Sequence, residues 1–228
     1  MSQNHEKSEK IAFKQKLTIA IQKNSKFLLV LLALIVLIVL ALLIFNSIQL
    51  KNLEKFTQEI ELIQDEYSEL SLITEENAKK DAIKTVFTHL NELIDTSSKN
   101  YALQRALFMR ANLNYQEKEW ETSISDFKLV ASDFPNSYLA PISLINAASA
   151  YEELKDIKNA IETYQLVIQK YLGTSPEIPN IYFSIGRLYE QNQDTKSALV
   201  EYNNLVDTFP DSNWTNLARS RIIYLESK

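Results

Sequence analysis

The chain has 228 residues, 46% of them hydrophobic and 23% charged, with a formal charge of −5 at pH 7. It contains no cysteine, which excludes disulfides, thiolate metal sites, cysteine nucleophiles and a lipid-modified cysteine. Gly173 and Gly186 are its only glycines, too few for the turns of a sheet protein of this size, so the composition favours helices.

The charge is unevenly divided. Residues 1–26 carry six Lys against Glu6 and Glu9, whereas residues 46–228 hold 18 Lys+Arg against 27 Asp+Glu. A sequence-independent nucleic-acid footprint needs a basic face, so no nucleic-acid partner is expected. Within the basic tail, IAFKQKLTIAIQK reads either as a short amphipathic helix on the inner leaflet, through Ile11, Phe13, Leu17 and Ile21, or as a solvated tail. Phe27 to Phe45 is then 19 residues without a polar side chain. A helix of that length spans about 28 Å, close to the roughly 30 Å hydrocarbon layer. A cleaved signal peptide would have a shorter apolar region and a small-x-small site, and Ile44-Phe45-Asn46 is a poor one. The segment therefore reads as an uncleaved signal anchor. Lys10, Lys14, Lys16, Lys23 and Lys26 precede it and only Lys51 and Lys55 follow closely, which puts the N-terminus in the cytoplasm and the rest outside.

From Leu53 the apolar residues Phe56, Ile60, Ile63, Tyr67 and Leu70 alternate steps of three and four, the seam of a helix that packs on another. The run is too short to decide between a coiled coil and the first helix of the following domain. A second helix is expected from about Asn77 to Asp95, broken by Thr96-Ser97-Ser98-Lys99-Asn100.

Beyond residue 100 the chain repeats at steps of 37 and 38 residues. Leu107, Arg110-Ala111 and Asn114 are followed by Leu144, Ala147-Ala148 and Tyr151, then by Tyr182, Ile185-Gly186 and Tyr189. A second helix in each unit pairs a small residue with an aromatic four later: Ser123 and Phe127, Ala160 and Tyr164, Ala198 and Tyr202. Small residues let two backbones approach, and large ones fill the flanking space. The joints DFPNSY and TFPDSN, at Asp133 and Thr208, combine a proline that stops a helix with Ser137 and Ser212, which can cap the next. Between the second and third units, Leu172-Gly173-Thr174-Ser175-Pro176 lengthens the joint.

These residues resemble the tetratricopeptide (TPR) repeat over about half of the chain. The longer units and the FPNS/FPDS joints are similar to the bacterial cell-envelope branch of that family, the BamD, CpoB and YfgM type, the last an ancillary SecYEG translocon subunit. The resemblance implies an all-α fold with an α-α superhelical solenoid. The expected organisation is a basic cytoplasmic tail at 1–26, a transmembrane helix at 27–45, and N-terminal capping helices or a stalk at 46–99. Three TPR-like repeats at 100–211 and a capping helix at 212–228, packed through Leu217, Ile222 and Leu225, complete it.

No catalytic constellation stands out: His5 and His89 are the only histidines, and acidic pairs such as Glu152-Glu153 diverge by about 100° on a helix. Neither enzyme activity, a cofactor, a metal nor a small-molecule substrate is expected. By the resemblance, the first helix of each unit lines a concave groove. Arg105, Phe108, Asn112 and Tyr115 would contribute from the first unit, and Ile142, Ile145, Ser149 and Glu152 from the second. Asn180, Phe183, Arg187 and Glu190 would contribute from the third. The competing expectation is that a share of them packs against neighbouring helices. Asn112 and Asn146 stand where the family's carboxylate clamp has asparagines, but Phe108, Asn180 and Ser184 replace its basic residues, so that activity is not expected. The resemblance implies a single-pass protein of the bacterial inner membrane whose periplasmic domain holds protein or peptide partners, such as translocon subunits or periplasmic chaperones. The alternatives are a CpoB-like role in division and peptidoglycan synthesis, and a structural tether that forms a homo-oligomer.

Overall fold

The computed structural model describes Lys14 and residues 23–227, so Ile11, Phe13, Leu17 and Ile21 of the amphipathic segment lie outside the described residues. Every regular element among the described residues is a helix. In chain order these are α1 (Ser25–Glu69), α2 (Glu76–Thr96), α3 (Tyr101–Gln116), α4 (Trp120–Asp133) and α5 (Leu139–Glu153). Then follow α6 (Ile157–Tyr171), α7 (Ile178–Gln191), α8 (Thr195–Thr208) and α9 (Asn213–Glu226). The fold is all-α, with one long apolar N-terminal helix and paired helices after it. Two compact units divide between Lys55 and Phe56.

In the first unit Phe27 to Phe45 is helical throughout, and its large side chains are exposed, from 39% at Leu28 to 69% at Phe27. It is long and apolar enough to cross a membrane.

The second unit begins with the remainder of α1. Ile60, Ile63 and Leu70 are buried against Val86, Leu90 and Leu93 of α2 and Ala102, Ala106, Met109 and Leu113 of α3. Phe56 and Tyr67 border the same core, so the seam from Phe56 to Leu70 packs within this unit. Glu75 accepts from the Asn77 and Ala78 amides to start α2, and Asn100 accepts from Leu103 N to start α3.

Three helix pairs follow: α3 with α4, α5 with α6, and α7 with α8. The turn inside each pair has the same backbone. Lys118, Lys155 and Gln193 take left-handed backbone angles, φ 64°, 61° and 60°. The next amide reaches back five residues: Glu119 N to Asn114 O, Asp156 N to Tyr151 O and Asp194 N to Tyr189 O, 2.8–2.9 Å each. This is a Schellman closure. The residue that closes the first helix is also the N-cap of the second; Asp156 and Asp194 accept from Asn159 N and Ser197 N, while Glu119 makes no such bond. Asp156 is held below the usual aspartate range by hydrogen bonds from the Asn159 side-chain amide and then its backbone N–H, and Asp194 by those from the Ser197 N–H and then its hydroxyl.

The joints between pairs follow the sequence. Phe134 and Phe209 end their helices with nearly the same angles, φ −126°, ψ 56° and φ −131°, ψ 60°. Ser137 Oγ accepts from Leu139 N and Ser212 Oγ from Trp214 N. Small residues sit where helices cross: Ala111, Ala147, Ala148, Ala160 and Ala198 are fully buried. A Cβ on Gly186 would lie 2.5 Å from Tyr202 Cε1. Each buried Leu or Ile contributes about 1.5–3 kcal/mol, against about 1 kcal/mol for a cap. Stacking therefore holds the solenoid together, and the caps decide where its helices stop. At the C-terminal end α9 packs through Thr215, Ala218, Ile222 and Leu225. Leu217, expected in that contact, is 50% exposed because its helix face points away from α8.

Candidate partner-binding groove

All twelve expected groove residues lie on the first helices α3, α5 and α7. Their side chains are largely committed to one another or to neighbouring helices. Arg105 forms an ion pair with Glu61 of α1, donates to Gln64 Oε1 at 3.2 Å and to the Tyr101 hydroxyl at 3.0 Å. The N-terminal helix thus uses the arginine at this end of the groove. Asn112 turns back to donate to Phe108 O at 2.7 Å. Phe108 meets Phe127 edge-on at 5.7 Å, and Tyr115 meets Trp120 at 4.8 Å. Burial, with the Glu153 and Glu152 charges adding to it, raises the Tyr115 phenol.

On α5, Ile145 borders the central core, and Ser149 donates to Ile145 O at 3.1 Å. Ile142 is 37% exposed, beside a cleft of about 620 Å³ where the two joints Pro135–Pro141 and Lys170–Glu177 face each other. On α7, Asn180 lies 3.5 Å from Glu177 Oε2, and Phe183 stacks obliquely on Tyr202 and Trp214 at 5.5 and 5.3 Å.

The remaining three residues belong to a motif that occurs twice. Glu152 accepts from the Tyr164 hydroxyl at 2.9 Å and from Arg187 at 2.5 Å. Thirty-eight residues on, Glu190 accepts from the Tyr202 hydroxyl at 2.5 Å and from Arg221, whose Nε is 3.0 Å away. A first-helix carboxylate is thereby joined to the second helix of its own pair and to the helix that follows the pair. Burial, above all, raises both phenols well beyond the ordinary tyrosine value, so they act as donors. The hydrogen bonds to Glu190 raise Arg221 further.

Tyr164, Tyr202 and Arg221 were not among the expected site residues. The signal was present: Glu152 and Glu190, and Tyr164 and Tyr202, recur at the same 38-residue step. In the first helix pair Tyr115 and Phe127 take those places, and the polar contact moves elsewhere. There Arg110 donates in bidentate fashion to buried Asp126, at 2.8 and 2.7 Å, and to Asn91 of α2 at 2.7 Å. Arg110, which stands where the later units have Ala147 and Ile185, thus ties three helices together.

The comparison with protein families falls on this same repeat region: residues 101–228 match YfiO, described as outer membrane lipoprotein. The chain belongs to the YfiO family. A TPR repeat-containing protein of Treponema pallidum is 30% identical over 113 residues, 50% of this chain and 46% of that protein. The match thus spans about half of the relative's length. Among solved structures, a tetratricopeptide repeat protein from Parabacteroides merdae superposes with a TM-score of 0.55 at 16% identity, covering 75% of this chain and 61% of the other. Pseudomonas aeruginosa pilF does so with a TM-score of 0.53 at 13% identity, covering 76% and 71%. The TPR expectation holds, and this YfiO-family chain is a protein-interaction scaffold of the BamD/YfiO-like group. The family match covers residues 101–228, and the long apolar helix at Phe27–Phe45 lies outside it.

Proposed function

We propose that this TPR scaffold is tethered to the bacterial inner membrane by Phe27–Phe45 and holds protein partners on the outer face during secretion, chaperoning or envelope assembly. Residues 1–26 form its cytoplasmic tail, residues 46–99 carry the stalk and N-terminal helices, and residues 100–211 with α9 form the binding domain. The observation that carries the reading is the apolar helix itself: 19 residues without a polar side chain, all large ones exposed, preceded by a lysine-rich flank. Burying such a surface needs lipid or protein, and its length matches the bilayer core.

The partner site is the face formed by α3, α5 and α7, where apolar anchors alternate with amides and ion pairs, a surface suited to a peptide or a partner helix. Protease treatment of spheroplasts should remove residues after the span and spare the tail. Survival of the C-terminal domain would overturn the topology. Affinity capture of the intact protein should recover translocon or chaperone subunits. Recovery of peptidoglycan enzymes instead would move the role to division and wall synthesis.

A further inference from the structure

The C-terminal end of that face differs from the N-terminal end in what it leaves open. At α3 the arginine is largely covered, Arg105 being 16% exposed while its partner Glu61 is 56% exposed. At α7 and α9 the order reverses. Arg187 and Arg221 are 39% and 40% exposed, whereas Glu152 and Glu190 are 18% and 14% exposed. Both carboxylates are also occupied from beneath by tyrosine hydroxyls. The two guanidinium groups are therefore the accessible members of each pair. Arg187 commits one N–H group, to Glu152, among the described residues, and a guanidinium has five.

Both arginines line one cavity of about 450 Å³, together with Phe183, Glu190, Gln191 and Tyr202. Along α9, Leu217 and Tyr224 lie four residues before and three after Arg221, on the same helix face, and are 50% and 45% exposed. The Arg221 guanidinium stands 4.7 Å from the centre of the Tyr224 ring, which restrains it. Arg221 gives Nε and one terminal nitrogen to Glu190, so the donors it offers a ligand come from its other terminal nitrogen, beside an aromatic floor and with apolar side chains on either side.

We propose that this α7–α9 end of the groove docks an internal acidic segment of a partner protein. One carboxylate sits between Arg187 and Arg221, and flanking apolar side chains lie on Leu217 and Tyr224. The inference rests on the groove being the partner site. A basic segment fits worse, because a cation would have to displace a guanidinium and a tyrosine hydroxyl to reach Glu152 or Glu190. A chain terminus fits worse as well, because it offers an apolar neighbour on one side only. The two Arg–Glu pairs are formally neutral together, so the attraction comes from directed, charge-assisted hydrogen bonds rather than from net charge.

The test uses the full chain in phosphatidylcholine nanodiscs and short blocked peptides with a Leu-Glu-Glu-Leu, Leu-Gln-Gln-Leu or Leu-Lys-Lys-Leu core, read by fluorescence anisotropy. The acidic peptide should bind about tenfold more tightly than the glutamine peptide, equivalent to about 1.4 kcal/mol. Arg187→Gln and Arg221→Lys should each remove most of that preference, the lysine keeping a cation for Glu190 while losing the other terminal nitrogen. Leu217→Ser, at an exposed position, should weaken both peptides alike. Equal or tighter binding of the glutamine or lysine peptide, lost in Ile142→Ser, would overturn the acidic partner and leave the groove standing. Binding of none of the three would overturn both. Acidic-peptide binding unchanged in both arginine variants, with native circular dichroism, would overturn the site.

Discussion

Gly186 is the point at which the stacking of α7 on α8 can be tested most directly. Gly186→Ala adds one methyl group and raises helix propensity, a gain of about 1 kcal/mol in an exposed helix. Here that methyl would lie 2.5, 2.8 and 2.9 Å from three ring carbons of Tyr202. The ring cannot swing aside cheaply: it is fully buried, packs on Phe183 at 5.5 Å, and is fixed at its far end by Glu190. Overpacking costs about 1–3 kcal/mol, and losing a hydrogen bond to a charged partner costs about 1.5–3 kcal/mol. The propensity gain is outweighed, and the net loss is about 3 kcal/mol. Because solenoids unfold in segments, amide exchange reads this better than a single melting point. Amides of α7 and α8 should exchange about a hundredfold faster, with those of α2 and α3 much less affected. In a Tyr202→Leu background, where the methyl has no ring to meet, the same change should be neutral or stabilising by up to about 1 kcal/mol. Unchanged or slower exchange in the single variant would refute the close approach of these helices.

Asp126→Asn strands the Arg110 guanidinium and should cost about 3 kcal/mol, read as faster exchange in α3 and α4, whereas replacing Arg110 and Asp126 together by Met and Leu should cost far less. The folded chain keeps the protons of Tyr164 and Tyr202 at pH values where the unfolded chain gives them up. Stability against guanidinium is therefore complete below about pH 10 and falls above it; Tyr164→Phe and Tyr202→Phe should flatten that fall. Leu37→Arg places a charge at the middle of the span and should disfavour insertion by about 2.5–3.5 kcal/mol, seen as carbonate-extractable protein.

Periodicity and small-residue spacing located the helices from Leu107 to Tyr202, because a helix pair with one small residue at its crossing admits few other arrangements. The second helix, expected from about Asn77 to Asp95, runs from Glu76 to Thr96. The candidate site was less accessible to such reasoning. Spacing places Arg105, Glu152, Arg187 and Glu190 on first helices, but their partners depend on how far neighbouring helices approach. Glu61 is 44 residues from Arg105, and Glu152 is 35 from Arg187. Leu217 shows the same limit, since its apolar character says nothing about whether a neighbour exists to cover it.

The turns inside the three pairs have a consequence for how such a chain can change in length. One residue closes the first helix and opens the second, so there is no slack: an inserted residue would separate the Schellman bond from the cap and reorient the pair. At the joints between pairs, closure by Phe134 or Phe209 and capping by Ser137 or Ser212 are separate acts, with residues to spare between them. The longer Leu172–Glu177 passage is a third solution to the same problem. Additions and deletions are therefore tolerated at one edge of the solenoid only, where they alter the pitch between pairs and leave each pair intact. Variation in length becomes a way to reshape the binding face without rebuilding its parts.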